Sequence, residues 1–130
     1  MNGWIFALVM VGGALGAGLR HAIGHWMIRH ASDGLPWGTL AANLLGSLLA
    51  GFLAAWLQGR GLLGEGMRAL LIVGVMGGLT TWSALMLEML AFGRSQQLEK
   101  ALVYFGVSLV AGLLLVWMGY RLGEALRGPM

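Results

Sequence analysis

The chain has 130 residues, 58% hydrophobic and only 10% charged, with a mean hydropathy of +0.81 and a formal net charge of +3. A soluble domain of this length needs far more charged surface, so the composition implies a single membrane domain. The basic residues stand singly between apolar runs rather than on one face, which argues against nucleic acid as a partner; the absence of cysteine excludes disulfides, thiolate nucleophiles and cysteine metal sites.

In chain order, MNGWIFALVM enters apolar sequence with no Lys or Arg before it. A secretory signal needs a basic n-region, so the first span is expected to be retained. Apolar runs of spanning length predict four transmembrane helices, at about 3–27, 37–57, 69–92 and 101–120. Short connections rich in turn residues separate them: SDGLP at 32–36, QGRGLLGEG at 58–66 and GRSQQLEK at 93–100. Residues 1–130 therefore read as one all-α four-helix domain with no soluble appendage.

Four spans place both termini and the second connection on one side. That side carries Arg60, Arg68, Arg121 and Arg127, and the other carries Arg29, Arg94 and Lys100, with Arg20 near the interface. The positive-inside rule has almost nothing to act on. Two readings fit: an orientation set by another device, or insertion in both orientations with pairing as an antiparallel dimer. The flat balance favours the second.

Polar groups in hydrocarbon need partners, so they are suspects for function. Thr39, Asn43 and Ser47 recur every four residues in the second span, with Gly51 next; Tyr104, Ser108 and Gly112 do so in the fourth. The third span adds Thr80, Thr81, Ser83 and Glu88. Isolated Ser and Thr usually serve as helix-packing contacts. Asn43 is harder to assign that way, because its amide brings two donors into the membrane. Neutral donors suit a conducted anion, which must trade its hydration shell for them and then leave. In the third span, VMGGLTTWSALMLE at 75–88 sets two glycines and two threonines near the midpoint. Either Gly74 and Gly78 form a GxxxG packing face on an unbroken helix, or the helix breaks and exposes carbonyls beside a cavity or ion.

GGALGAGLR at 12–20, PWGTLAANLLGSLLAG at 36–51, GGLTTWSALMLE at 77–88, and Tyr104, Ser108 and Gly112 together resemble the Fluc (CrcB) family of small fluoride channels. The resemblance covers all four helices in order. It implies an antiparallel, dual-topology homodimer in the lipid bilayer of the bacterial inner membrane. It further implies two fluoride pores per dimer and a structural sodium ion at the dimer interface. By motif, the sodium falls to backbone carbonyls of Gly77 and Thr80 at a break in the third helix. Asn43, Ser83, Tyr104 and Ser108 match pore positions, and Arg20 matches a vestibule arginine. The family typically reads TTFSTF where this chain has Trp82 and Leu85. An indole keeps an electropositive edge and an N–H donor, which Leu85 lacks. Glu88 matches an acid of open role, and Thr39, Ser47 and Thr81 stand beside these positions without an assigned one.

Two rivals share the architecture. A dual-topology small-solute exporter resembles others of its kind in carrying a carboxylate in the first span, and none is present here. A non-conducting or altered-selectivity subunit of the same fold would use the polar stripes for packing alone. An enzyme is not expected. His21 and His25 are one turn apart but lack a third metal ligand, and no histidine shares a span with Ser83 or lies in the next one.

Overall fold

In the computed structural model, which describes residues 2–31 and 33–127, every regular element is helical. Helix α1 (Gly3–His30) contains the first predicted apolar run, and helix α2 (Trp37–Trp56) matches the second to within one residue. The third crossing is composite. It opens as α3 (Gly61–Met67), widens into a π-helical stretch (Arg68–Met76), returns to an α-turn as α4 (Gly77–Leu79), breaks at Thr80–Thr81 and resumes as α5 (Trp82–Arg94). Helix α6 (Leu98–Arg127) completes the bundle. At ~1.5 Å per residue even the shortest uninterrupted crossing, the 20-residue α2, spans a ~30 Å hydrocarbon core. The protein is thus a multi-pass membrane protein of four crossings, with the third helix broken.

Most of the helices outrun the apolar stretches that announce them. Helix α6 runs from Leu98 to Arg127 where 101–120 was expected, and the third crossing starts at Gly61 rather than 69. Intrahelical bonding continues into the polar headgroup layer, where charge is tolerated. Hydropathy therefore marks the hydrocarbon segment rather than the helix. In the first connection, the Asp33 carboxylate accepts the Leu35 N–H at 3.1 Å and the Trp37 indole N–H at 2.8 Å. These bonds hold its carboxyl below the usual range.

Two close helix pairs make the frame: α2 along α6, and α1 along the π-helical stretch. Lipid tails are as apolar as leucine, so these pairs rely on backbone proximity and van der Waals contact. Small residues supply it. A Cβ on Gly119 would collide with the Leu48 carbonyl, one on Gly51 with the Val116 carbonyl, and one on Gly16 with the Val75 carbonyl. Gly74 packs likewise on Gly12, and Gly78 on Gly13, immediately before the break. The helix is not unbroken, yet the glycine packing face is present as well: Gly74 and Gly78 pack against α1 just before the break.

Gly119→Val is expected to cost ~3 kcal/mol or more, because the obstructing atoms are backbone. Gly106→Val, in open space, is the control. The check is monodisperse elution from size exclusion in detergent, lost for the first variant and retained for the second.

Candidate functional site: a broken helix beside a polar groove

The break forms because Gly77 and Gly78 weaken the helix while threonine side chains offer the backbone alternatives. Thr80 (φ −79°, ψ 151°) and Thr81 (φ −149°, ψ 115°) are extended. A break at membrane depth leaves backbone groups that need partners, and most can be traced. Thr80 donates both its N–H and its hydroxyl to the Met76 carbonyl, each at 2.9 Å. The Thr81 hydroxyl oxygen caps α5 by accepting the Ala84 N–H at 3.1 Å, and lies 3.2 Å from the Ser83 hydroxyl. Asn43 of α2 engages both backbone groups of Thr81. Its Oδ1 accepts the Thr81 N–H at 2.6 Å, and its Nδ2 donates to the Thr81 carbonyl at 3.1 Å. Arg20 of α1 donates from Nε to the Gly78 carbonyl at 3.1 Å. Among the described residues, no N–H or O–H donates to the carbonyls of Gly77 or Thr80.

Beside the break lies a groove of about 520 Å³ between α2, the third crossing and α6. Asn43, Ser47, Gly77, Thr80, Thr81, Trp82, Leu85 and Ser108 all line it, together with Phe105 and Gly112. Its hydroxyls donate to their own helices: Ser47 to the Asn43 carbonyl at 2.8 Å, and Ser108 to the Tyr104 carbonyl at 2.7 Å. Asn43 keeps a second amide N–H beyond the one given to Thr81. Trp82 is 63% exposed, and its ring meets Phe105 edge-on at 6.1 Å. Leu85 is buried, lining the groove while packing into a core cluster with Phe92, Ala101 and Tyr104. Residue types alone did not bring out Phe105. Its spacing to Ser108 and Gly112 would have, because 105, 108 and 112 fall on one helical face.

The other predicted residues lie elsewhere. Tyr104 is buried and turned toward α5, where its hydroxyl donates to Glu88 Oε2 at 2.6 Å. Thr39 donates to the other oxygen, Oε1, at 2.5 Å. Glu88 thus joins α2, α5 and α6 at a second polar cluster. A four-residue repeat drifts about 40° per step around a helix. Thr39 and Tyr104 therefore leave the faces that present Asn43, Ser47 and Ser108 to the groove. Ser83 is exposed and does not line the groove. Half-buried Arg20 lines a separate concavity of about 420 Å³ with His21, His25, Thr39 and Thr81.

A family model described as CrcB-like protein, Camphor Resistance (CrcB), matches residues 7–120. Among similar proteins, one from Xanthomonas euvesicatoria pv. vesicatoria (strain 85-10) is 54% identical over 117 residues, covering 90% of this chain and 88% of the relative. One from Xylella fastidiosa (strain 9a5c) is 53% identical over 116 residues, covering 89% and 81%. One from Thermus thermophilus is 47% identical over 123 residues, covering 95% and 96%. Each of these relatives is named a fluoride-specific ion channel, FluC. With the family model matched through all four crossings and about half the residues shared end to end, the chain belongs to the CrcB family.

Proposed function

We propose that this protein is a fluoride-selective channel that lets cytoplasmic fluoride leave passively across the bacterial inner membrane. The observation that carries the reading is the groove at the helix break, with neutral donors from Asn43, Ser47, Thr80, Thr81 and Ser108 and no buried cation along it. The names of the relatives support the same ion. Fluoride enters cells as the neutral weak acid and is trapped as the anion near neutral pH. A negative-inside potential then drives it outward through an open path without ATP or proton coupling.

The hydrogen bonding suits transient contact. Ser47, Ser108 and Thr80 each rest their proton on a carbonyl one turn back. An arriving anion draws that proton by rotation about the side chain, and the hydroxyl returns to the carbonyl when the ion moves on. The loss is one already shared acceptor, so binding stays weak enough for release. Asn43 contributes its remaining N–H, Trp82 an electropositive ring edge and Leu85 an apolar wall. Arg20 acts by its field, from the separate concavity where it holds the Gly78 carbonyl beside the break.

The near-even charge balance supports an antiparallel, dual-topology homodimer in the bilayer, with a groove contributed by each protomer. The carbonyls of Gly77 and Thr80 fit a structural sodium ion at the interface, being oxygen donors without hydrogen bonds at membrane depth. When bound, sodium supplies a fixed positive charge there.

The test is efflux from liposomes holding only this protein, read with a fluoride electrode after adding a potassium ionophore. Fluoride is expected to leave within seconds while chloride stays. Replacing sodium with N-methylglucamine throughout purification and assay is expected to lower flux and dimer stability. No fluoride release from verified dimers would overturn the channel reading, and indifference to the cation exchange would remove sodium from it.

A further inference from the structure

Three arginines from three segments converge on the last turn of α2. Arg60, just beyond the helix, donates from Nε to the Trp56 carbonyl at 3.0 Å and lays its guanidinium over the Trp56 ring at 4.0 Å. Arg68, from the start of the π-helical stretch, donates to the Ala54 carbonyl at 3.3 Å. Arg127, from the end of α6, reaches Gln58 Oε1 at 2.8 Å and the Ala55 carbonyl at 3.5 Å. Carbonyls 54, 55 and 56 belong to the last turn of α2, so the three guanidiniums gather around one helix end.

Capping does not account for three cations. A helix C-terminus carries roughly −0.5 of an elementary charge, so three guanidiniums leave an excess of about +2.5. Among the described residues none of the three makes an ion pair: Glu65 and Glu124 lie at the same end of the bundle, but the ion pair present joins Glu124 to Arg121. Each guanidinium has five N–H donors, and only a few are used. Arg127 Nε is shielded from solvent and has no acceptor among the described residues. A cluster of this kind is short of an anion that brings several acceptor oxygens to one place.

The surroundings indicate which anion. The turn lies where a crossing ends, at the level of the membrane–water interface. Next to Arg60, Leu62 and Leu63 are 79% and 70% exposed, and Leu126 beside Arg127 is 63% exposed. These apolar side chains suit acyl chains, whereas a free anion gains nothing from them. We infer that Arg60, Arg68 and Arg127 form a binding site for the phosphate headgroup of an anionic glycerophospholipid, whose acyl chains lie along the exposed leucines. The geometry matches the general preference of guanidinium for phosphate oxygens, and a fixed cluster adds specificity to the weak attraction of single surface charges.

Native mass spectrometry of the full-length protein in mild detergent, titrated with phosphatidylglycerol or phosphatidylcholine, tests this. Phosphatidylglycerol is expected to bind at least tenfold more tightly, and millimolar inorganic phosphate is expected to leave its adduct in place. Arg60→Gln/Arg127→Gln should abolish the preference, and Arg60→Gln alone, at an exposed position, should reduce it severalfold while elution stays monodisperse. Arg94→Gln, at the far end of α5, should leave the preference unchanged. Equal binding of the two lipids by the wild-type protein, or a preference left unchanged by Arg60→Gln, would overturn the site. Displacement by phosphate alone would overturn the lipid and leave a soluble-anion site.

Discussion

Asn43→Asp is expected to lower fluoride efflux by at least a hundredfold and to weaken the fold as well. The wild-type amide reads Thr81 from both sides, accepting its N–H at 2.6 Å and donating to its carbonyl at 3.1 Å. A carboxylate keeps the first bond and turns the second into a contact between two oxygens. It also sets a negative charge on the wall of the groove. At a separation of about 4 Å and an effective dielectric of about 20, that charge repels a passing anion by ~4 kcal/mol, near a thousandfold in rate. Asn43→Ala separates the two roles. It adds no charge but strands both Thr81 backbone groups, at ~1–3 kcal/mol each. The alanine variant should therefore lose more stability than flux among its surviving dimers, and the aspartate variant the reverse. Thermal unfolding in detergent and liposome efflux on the same preparations provide the comparison. If aspartate conducts within threefold of wild type, Asn43 only holds the break together and lies outside the ion path.

A weak point in the third helix was legible because its cause is local, although the residues fitted an unbroken packing face equally well. Two glycines followed by two threonines weaken a helix whatever surrounds them, and Thr80 and Thr81 are the residues found extended. The four crossings were legible for the same reason, since hydropathy is a property of each segment. Partner choice was not. An i, i+4 stripe says that Thr39, Asn43 and Ser47 share a broad face, but not which neighbour each meets. The slow drift of that stripe sends Thr39 to Glu88 and Asn43 to Thr81. Spacing likewise joined Tyr104 to Ser108, and the structure separates them because the half-buried carboxylate of Glu88 competes for the phenol. Arg20 illustrates the same limit: its charge suggested a vestibule, yet the position of its Nε depends on a carbonyl freed 58 residues later in the chain. The π-helical stretch had no signal at all in residue type. It depends on the glycines of α1, which let a wider helix approach.

Glu88→Ala is expected to destabilise the protein by roughly 2–4 kcal/mol, more than its position near the end of a span suggests. Beyond the break α5 packs lightly, chiefly against α6, so it needs another fastening. Glu88 supplies it by accepting the Thr39 hydroxyl of α2 on one oxygen and the Tyr104 hydroxyl of α6 on the other. Removing the carboxylate strands two hydroxyls at once. Thr39 can turn back to its own helix, as serine and threonine do in membrane helices. Buried Tyr104 has no such retreat. Tyr104→Phe removes the stranded group, so the double variant Glu88→Ala/Tyr104→Phe should be less damaged than the sum of the singles, by about 1 kcal/mol or more. Unfolding of the four proteins in one detergent gives the cycle, and strict additivity would show that Glu88 does not act through Tyr104. The consequence for transport follows from position. Trp82 and Leu85 stand on the first turn of α5, so a loosened α5 moves one wall of the groove while leaving Asn43, Ser47 and Ser108 in place. Glu88→Ala should therefore reduce flux without any charge entering the path, and Tyr104→Phe should reduce it less. A Glu88→Ala channel that unfolds early yet conducts at the wild-type rate would mean that the α5 wall takes no part in holding the ion.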